Sequence, residues 1–520
     1  MTEPTPTEPT PRLTAYALPA AIAVFLAHAS RYPPIFEDAF ISYRYAENLA
    51  SGLGLVFNPG QPVEGFTSAL WVFVLAAARL VVDDLQAAGP LLSAAAGVGV
   101  IAVTWALARR LLNAPWAFAA TLLAAANASL ASYAVTGMES TLFGLLLSGG
   151  VLLSAFSDSR RGDVGLAAVA ILAALCRPEG MLYAPALIAL GLRRRGWRRT
   201  LFVGAAFAAV YGAWFAWRWR HFGYPFPNTY YAKIGGSDDL LVGARHVEGF
   251  LWMHLGLLGL LGLVGAARAE RRALPLLAMT GLVLAATAWV GGDQFPLHRF
   301  LIPVVPLTAI GVGWFLQALA AREGPKVPAV ATALLMGLSV YAPRVTPPSF
   351  MGPHPSGVSD WERVRIKAEV TWDFERIAAW MVDALPPETT VATNVAGVIP
   401  YRTGFVTIDM LGLNDEHIAH AERSEAARGH QKSDPDYVMA QAPELVFIGL
   451  PRVFEAPPPT ETLRQIWEAS ALPGDRVLLN SDAFHEQYEL IKGPVDAEGY
   501  TAVFVRRDRI HAILRPPPGP

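Results

Sequence analysis

FEDAFISYRYAENLASGLGLVFNPGQPVEGFTS (residues 36–68) is a polar stretch that follows the apolar segment LTAYALPAAIAVFLAHA (residues 13–29). The chain has 520 residues, of which 53% are hydrophobic and only 16% are charged. Such a composition at this length is typical of a polytopic membrane protein rather than a water-soluble one. We therefore expect residues 36–68 to form a loop at the membrane surface, directly after the first membrane helix.

Composition also excludes several classes of partner and chemistry. The formal net charge is -2, so the chain lacks the surplus of Lys and Arg that a nucleic-acid partner requires. The single cysteine, Cys176, lies in an apolar run, which excludes an intramolecular disulfide and a thiolate metal cluster. Segment 13–29 lacks a strong basic flank and a clear cleavage site, and we interpret it as a retained helix.

Apolar segments long enough to cross a bilayer recur along the chain. Nine crossings are predicted, at 13–29, 88–112, 115–134, 139–156, 200–218, 247–267, 274–290, 300–321 and 327–343. Segment 164–192 is interrupted by RPEG, and we expect a helical hairpin there because Pro178 and Gly180 end a helix. The run 66–82 is predicted to lie along the outer leaflet. About eleven membrane helices result when both halves of the hairpin are counted.

Basic residues predict the orientation, since cytoplasmic loops accumulate Lys and Arg. They cluster on one side of the layout, at 109–110, 160–161, 193–199, 268–272 and 322–326. The opposite loops and everything after residue 343 are therefore predicted to be extracytoplasmic. The expected organisation is a disordered head at 1–12, a transmembrane catalytic domain at 13–343 with its first outer loop at 30–87, and a soluble extracytoplasmic domain at 344–520.

The composition changes after about residue 345, where prolines, charges and short mixed segments replace the apolar runs. TVATNVAGVIPY (390–401), VTIDML (406–411) and ELVFIGL (444–450) predict buried strands, whereas 361–385 and 415–429 have helical spacing. The predicted fold class is mainly α: a polytopic membrane helical bundle with a C-terminal soluble α/β domain.

Two acids, Glu37 and Asp38, lie a few residues past the first membrane helix. A carboxylate at the outer interface can act as a general base on a hydroxyl that arrives from outside. Asp38 can equally cap the helix that the spacing of AFISYRYAENLA predicts. The residue types alone leave both interpretations open.

Residues 36–71 resemble the first-loop signature of GT-C glycosyltransferases, specifically the branch of the mycobacterial terminal arabinofuranosyltransferases. Its pattern is close to D-D-A-[FY]-I-[ST]-[FY]-R-x8-G-x-G-L-x-[FW]-N; Glu37 replaces the first Asp, and Asp38 matches the second. Further matches follow in order: TGMES (136–140), RPEG (177–180), GYPFPNTYYAK (223–233), GGDQFPLHRFLIP (291–303) and DMLGLND (409–415).

The resemblance implies a GT-C-like membrane fold in the bacterial inner membrane, a polyprenyl-phosphate sugar donor and a glycan or lipid-linked acceptor. Asp38 is then the catalytic base. Because the loops offer a base and positive groups for a departing phosphate, we expect a direct displacement with inversion. Arabinofuranose is suggested only by the named relatives. Two rivals from other classes stay open: a multi-helix transporter, for which paired similar halves are expected, and a non-catalytic envelope-assembly protein.

The remaining predicted site residues come from the same motifs. We expect contacts with the donor phosphate from Arg299, Lys233, Arg177, Arg44 and Asp293. We expect contacts with substrate from Glu37, Asn228, Tyr230, Tyr231, His298, Glu139 and Asp409.

Structural alternatives accompany these predictions. Arg177 and Glu179 can form an internal ion pair at the hairpin turn, and the tyrosines can belong to an interfacial aromatic belt. Glu139 can cap its helix, as Asp415 can cap the helix that begins at residue 416. No metal cluster is indicated, although the acids at 37, 38 and 293 could share a divalent cation such as Mg or Ca with the donor.

Overall fold

The computed structural model describes residues 11–34, 36–233, 239–345, 357–424 and 430–513. The helices up to residue 341 are α1 (Pro11–Ala29), α2 (Ala39–Ala50), α3 (Ala69–Arg79), α4 (Leu85–Leu111), α5 (Ala114–Ala125), α6 (Ala128–Tyr133), α7 (Ser140–Phe156), α8 (Arg160–Cys176), α9 (Gly180–Leu190), α10 (Leu192–Phe222), α11 (Asn228–Lys233), α12 (Asp239–Met253), α13 (Gly256–Ala269), α14 (Leu274–Trp289), α15 (Val305–Glu323) and α16 (Lys326–Tyr341). The predicted head at 1–12 lies almost entirely outside the described residues.

The later helices are α17 (Asp360–Ala384), α18 (Val398–Thr403), α19 (Glu416–His420), α20 (Pro435–Gln441), α21 (Thr460–Ser470), α22 (Pro473–Leu479), α23 (Asp482–Gln487) and α24 (Ile510–Ile513). The strands are β1 (Thr390–Thr393), β2 (Val406–Asp409), β3 (Leu445–Val446), β4 (Tyr488–Asp496) and β5 (Gly499–Arg506). Short 3-10 helices lie at Arg271–Ala273, Pro296–Val304, Ala342–Arg344 and Arg507–Arg509.

The chain divides into two compact units, each of which combines three segments. The first unit comprises Met1–Pro34, Gly89–Ala213 and Ser237–Arg365. The second comprises Ile35–Ala88, Trp214–Gly236 and Ile366–Pro520. The second unit therefore joins the signature loop to the C-terminal residues, which a division along the chain would separate. The domain limits drawn from composition stay a prediction.

Long apolar helices confirm the membrane fold class. Within the described ranges, five helical segments are long and apolar enough to cross a membrane, or six if a bent pair counts as one span. They are Leu85–Leu111, Leu192–Phe222, Arg271–Trp289, Pro296–Glu323 and Lys326–Arg344, with Leu240–Met253 and Gly256–Ala269 as the bent pair. Shorter apolar helices lie at Ala15–Ala29, Ala69–Arg79, Ala114–Ala125, Ser140–Phe156 and Gly180–Leu190. The count of eleven membrane helices stays a prediction.

Two of the predicted crossings contain a helix break that was not predicted, and they stay predictions as crossings. Segment 247–267 contains two helices that meet at 83°, and Leu255 at the break has a left-handed backbone with φ 56°. Segment 115–134 is broken at Asn127, whose side chain accepts a hydrogen bond from the Leu130 N–H and caps α6. The predicted hairpin is confirmed: α8 and α9 pack against each other and are joined by the turn at 177–179.

The second unit contains a five-stranded mixed sheet with the order β2-β1-β3-β5-β4. β1 pairs in parallel with β2 and β3, while β5 pairs antiparallel with β3 and β4. The predicted strand 390–401 ends at Thr393, and a helix occupies 398–403. The predicted helix 415–429 ends at His420, and residues 425–429 lie outside the described ones. The antiparallel pair β4 and β5 was not predicted.

Candidate functional site

Asp38 lies immediately before α2, at the position where a capping residue would lie. Its backbone is already helical, with φ -61° and ψ -21°, and its side chain makes no capping hydrogen bond. The cap interpretation of Asp38 is therefore wrong. Its half-buried carboxylate is not used to begin α2 and can act on a ligand instead.

Glu37, the preceding residue, has a different environment. Its Oε1 accepts a hydrogen bond from the main-chain N–H of Gly397. Burial, and next the neighbouring Asp38 carboxylate, raise the pKa of Glu37 to about 8. Glu37 is therefore mostly protonated at neutral pH, and the adjacent acids do not both carry a charge.

Gly397 brings the loop after β1 against these acids. A Cβ atom at this position would lie 2.1 Å from the main-chain oxygen of Glu37 and 2.6 Å from its Oε1. Both distances are too short for a real contact, so only glycine allows the loop this close. The role of Gly397 was not predicted, since 360 residues separate it from Glu37. Its position just before a short helix was the only local signal.

Three other polar residues of the signature, Arg44, Asn48 and Asn58, make hydrogen bonds to main-chain groups. Arg44 donates from Nε to the Phe57 carbonyl at 3.0 Å and from Nη2 to the Gly404 carbonyl at 3.1 Å. Asn48 Nδ2 donates to the Phe57 carbonyl at 2.9 Å. The side chain of Asn58 pairs with the main chain of Thr407, accepting from its N–H at 3.1 Å and donating to its carbonyl at 2.9 Å.

These contacts explain why the loop is polar. β2 is an edge strand of the sheet, and the Asn58 amide covers part of that edge as a neighbouring strand would. The buried guanidinium of Arg44 is oriented by main-chain carbonyls. The predicted contact of Arg44 with a phosphate stays a prediction.

The turn after β2 organises a second group of predicted residues. Asp409 is fully buried at 0% exposure, and its two oxygens accept hydrogen bonds from the main-chain N–H groups of Leu411 at 3.0 Å and Asn414 at 2.8 Å. Burial raises the pKa of Asp409 to about 6. These hydrogen bonds show that Asp409 organises the turn, and its predicted contact with substrate stays a prediction. Asp415 caps α19 by accepting from the Ile418 N–H, so that prediction is confirmed.

Asn228 connects α11 to the same turn. Its Nδ2 lies 2.9 Å from the Gly412 carbonyl and 3.0 Å from the Asp415 carbonyl. The exposed Tyr230 contacts the rings of Phe226 and Tyr231.

Tyr231 and Lys233 complete the predicted residues of this helix. Tyr231 packs on His420 with 4.6 Å between ring centroids. Lys233 is the last residue of α11 and is half-buried. The second unit thus contains Glu37, Asp38, Arg44, Asn228, Tyr230, Tyr231, Lys233 and Asp409.

The first unit contains the remaining predicted residues, Glu139, Arg177, Asp293, His298 and Arg299. Arg177 forms ion pairs with Glu139 at 2.5 Å and with Glu179 at 3.1 Å, and the side chains of Arg177 and Glu139 are only 9% and 8% exposed. The predicted pair of Arg177 with Glu179 is confirmed. Glu139 makes no capping hydrogen bond, so its predicted role as a helix cap is wrong.

Arg299 is held in a similar way. Its Nε donates to Asp293 Oδ2 at 2.8 Å and its Nη2 to Asp293 Oδ1 at 3.1 Å. The ring of Phe300 lies 4.7 Å from the Arg177 guanidinium carbon and 5.3 Å from that of Arg299, within the range of cation–π contacts.

His298 has a left-handed backbone, with φ 55°, which is rare for a residue other than glycine. Its Nδ1 lies 3.2 Å from Nε2 of His254. Such strain persists only where the surrounding structure imposes it. The first unit thus contains two carboxylate-paired arginines, Arg177 and Arg299, from two different motifs, and a strained histidine, His298, next to Arg299.

The described residues contain no group of three or more His, Cys, Asp or Glu side chains that could hold a metal ion. Cys176, the single cysteine of the sequence, is buried. The requirement for a divalent cation stays a prediction.

Comparison with known proteins agrees with this architecture. A domain of unknown function, DUF8728, matches residues 361–507. The terminal beta-(1->2)-arabinofuranosyltransferase of Mycobacterium tuberculosis is 25% identical over 86% of this chain and 88% of the relative. ArnT from Cupriavidus metallidurans bound to undecaprenyl phosphate has a TM-score of 0.59 at 15% identity, covering 98% of this chain and 100% of that one. The Archaeoglobus fulgidus oligosaccharyltransferase has a TM-score of 0.53 at 12% identity, covering 93% and 72%.

The chain thus has the fold of these two solved structures, which is that of the GT-C membrane glycosyltransferases. Both solved structures share this fold despite low sequence identity. In sequence, the chain resembles the mycobacterial terminal arabinofuranosyltransferase.

Proposed function

We propose that this chain transfers a sugar from a polyprenyl-phosphate donor to a hydroxyl of an envelope glycan, with Asp38 as the general base. The observation that carries the proposal is the state of the two acids before α2. Asp38 makes no capping hydrogen bond, whereas Glu37 Oε1 accepts a hydrogen bond from the Gly397 N–H, and burial raises the pKa of Glu37. A carboxylate that is unused by the fold and lies beside a neutral acid suits proton abstraction.

The proposed reaction is a single displacement. The acceptor hydroxyl loses its proton to Asp38 while its oxygen forms a bond to the anomeric carbon. The bond from that carbon to the phosphate oxygen breaks, and polyprenyl phosphate leaves with the electron pair. The anomeric configuration is inverted, and no covalent enzyme intermediate forms.

Positive groups near the leaving phosphate would stabilise the charge that develops on it. We propose Arg299, with Lys233 or Arg177, for this role. The ion pairs with Asp293 and Glu139 hold the guanidinium groups in fixed orientations, which reduces the entropy that a phosphate contact costs. A bound phosphate would compete with these carboxylates for the same donors.

The relatives support the choice of donor and sugar. The ArnT structure contains undecaprenyl phosphate, and the mycobacterial relative is a terminal arabinofuranosyltransferase. We propose a polyprenyl-phosphate hexose or pentose as donor, with arabinofuranose as the first candidate. We further propose that transfer occurs at the extracytoplasmic face of the inner membrane, with the C-terminal domain on that side.

Asp38→Asn tests the proposal. Purified protein in lipid nanodiscs is incubated with labelled polyprenyl-phosphate sugars and glycan acceptors, and release of polyprenyl phosphate is measured. We expect the variant to lose transfer by roughly 10²- to 10⁴-fold, the usual contribution of a general base. Asp383→Asn, at an exposed position on α17, is the matched control and should transfer at the parental rate. Parental activity in a correctly folded Asp38→Asn protein would refute the assignment.

Two further measurements complete the experiment. Activity after chelation and re-addition of Mg²⁺ or Ca²⁺ tests the divalent cation. Counterflow of labelled sugar in vesicles, without release of polyprenyl phosphate, would indicate a transporter instead.

A further inference from the structure

The second unit contains an open cleft of about 940 Å³ that the proposed displacement does not use. This volume lies in the upper part of the range typical of small-molecule sites. The signature loop contributes one wall at residues 60–63. The other walls come from residues within 414–422 and 433–437, and Tyr224 also lines the cleft.

One group of side chains in the cleft joins a tyrosine to a carboxylate and a histidine. The hydroxyl of Tyr224 donates to Glu416 Oε1 at 2.8 Å. The ring of Tyr224 stacks on His420 with 4.7 Å between centroids and 29° between planes. Tyr231, which sequence analysis assigned to substrate, packs on the same His420 ring.

A second group repeats this combination. His417 stacks on Tyr437 with 4.1 Å between centroids and 15° between planes. Its Nε2 lies 2.7 Å from Asp434 Oδ2, and the Tyr437 hydroxyl donates to Asp415 Oδ2 at 3.2 Å. Hydrogen bonds thus fix both aromatic pairs, so a ligand would find them pre-organised.

The charge of the cleft distinguishes between ligands. Among the described lining residues there are four carboxylates, Asp415, Glu416, Glu422 and Asp434, and neither Lys nor Arg. Such a lining repels a phosphate, so the cleft is unsuited to the donor headgroup. Carboxylates that already accept bonds from tyrosine, histidine and main-chain N–H groups keep further lone pairs, which can accept from hydroxyl groups. Aromatic rings offer apolar faces to the C–H faces of sugar rings.

The cleft is connected to Asp38, the proposed general base, through α2. Tyr45, on that helix, lies seven residues after Asp38, about 10 Å along the helix axis. The Tyr45 hydroxyl lies 3.2 Å from Asn414 Oδ1, and buried Asn414 lines the cleft. Gly65 permits this contact, because a Cβ there would lie 1.9 Å from Asn414 Oδ1. The helix that begins at the proposed base thus contacts the cleft wall two turns later.

We propose that this cleft binds the acceptor, as a neutral oligosaccharide whose rings stack on the tyrosine–histidine pairs and whose hydroxyls donate to the carboxylates. The inference rests on the proposed function and names the class of its acceptor. It assigns His417, Tyr224 and Tyr437 to acceptor binding, a role that the sequence did not predict.

The test uses the full-length protein in nanodiscs and neutral hexasaccharides of furanose or pyranose units as probes. Binding is measured by saturation-transfer NMR and calorimetry. We expect His417→Ala and Tyr224→Ala each to weaken hexasaccharide binding about tenfold and to raise the acceptor KM without changing the donor KM. His511→Ala replaces an exposed histidine on α24 and is the matched control, which should bind like the parent. Thermal unfolding of each variant establishes that it is folded.

The outcomes separate this inference from the proposed function. Asp38→Asn should bind the hexasaccharides normally while failing to transfer. Transfer that survives in Asp38→Asn would refute the general base but leave the cleft assignment intact. Absence of hexasaccharide binding to the parent, or equal binding by His417→Ala, would refute the cleft assignment alone. Tighter binding of inorganic phosphate or of a lysine oligopeptide than of any hexasaccharide would also refute it.

Discussion

Replacement of Glu37 by Gln tests the electrostatic state of the proposed base. In the folded protein the pKa of Glu37 is raised from 4.5 to about 8, first by burial and then by Asp38. A group with a pKa of about 8 is roughly nine-tenths protonated at pH 7 and roughly nine-tenths ionised at pH 9. Gln mimics the protonated form and cannot ionise.

The sign of the stability effect follows from linkage. Because folding raises the pKa of Glu37, its protonated form favours the folded state, and this contribution is fully present below pH 4.5. It is lost as the pH rises through about 8. The difference between these two pKa values limits the loss in free energy of unfolding to roughly 5 kcal/mol. The full loss is reached only above pH 8. Glu37→Gln should therefore unfold at a temperature that changes less between pH 6 and 9 than that of the parent.

The same substitution should change the pH dependence of transfer. We expect the parental rate to fall above about pH 8, as Glu37 ionises beside Asp38, and Glu37→Gln to keep its rate there. Rates at pH 6, 7, 8 and 9 in nanodiscs, together with thermal unfolding at each pH, provide the measurement. Glu486→Gln, at an exposed position on α23, is the control. Identical pH profiles for the parent and Glu37→Gln would refute a protonated Glu37.

Three other perturbations follow from the structure. Arg177→Met should destabilise the protein by about 3–5 kcal/mol, since it leaves buried carboxylates uncompensated. Adding Glu139→Gln should recover part of this loss. Additive effects of the two substitutions on unfolding in detergent would contradict the ion pair. Gly397→Ala should cost about 1–3 kcal/mol through overpacking and lower the transfer rate, while Gly493→Ala, with open space around its Cβ, should do neither. A cysteine replacing exposed Ser51 should react with a membrane-impermeant maleimide added from outside the cell, and labelling only after lysis would invert the proposed orientation.

The sequence predicted those parts of the fold that depend on local composition. Length and hydrophobicity located the apolar helices, and RPEG located the hairpin turn, because a proline and a glycine close together end a helix whatever surrounds them. The break at Leu255 could not be predicted in this way, since hydropathy continues across it and a left-handed leucine leaves no compositional mark. Gly397 indicates a turn, but it lies within residues 390–401, for which a strand was predicted.

The candidate site was predicted unevenly, and sequence distance is the physical reason. Asp38 and Glu37 are adjacent and could be identified as a pair of acids from residues 37–38 alone. Arg44 and Asn58 were harder to interpret, because their partners lie 360 and 349 residues away along the chain. The local sequence does not show whether an arginine donates to distant carbonyls or binds a phosphate.

The contacts within the second unit separate the signature into a structural part and a chemical part. Arg44, Asn48 and Asn58 direct their donors to main-chain carbonyls, so they hold the loop whatever substrate is bound. Glu37 is fixed by Gly397, which leaves Asp38 as the signature acid without a capping role. Loss of a structural residue should therefore reduce stability and transfer together, because the loop leaves the edge of β2. Loss of Asp38 should reduce transfer alone, and this difference is what distinguishes a base from a folding determinant.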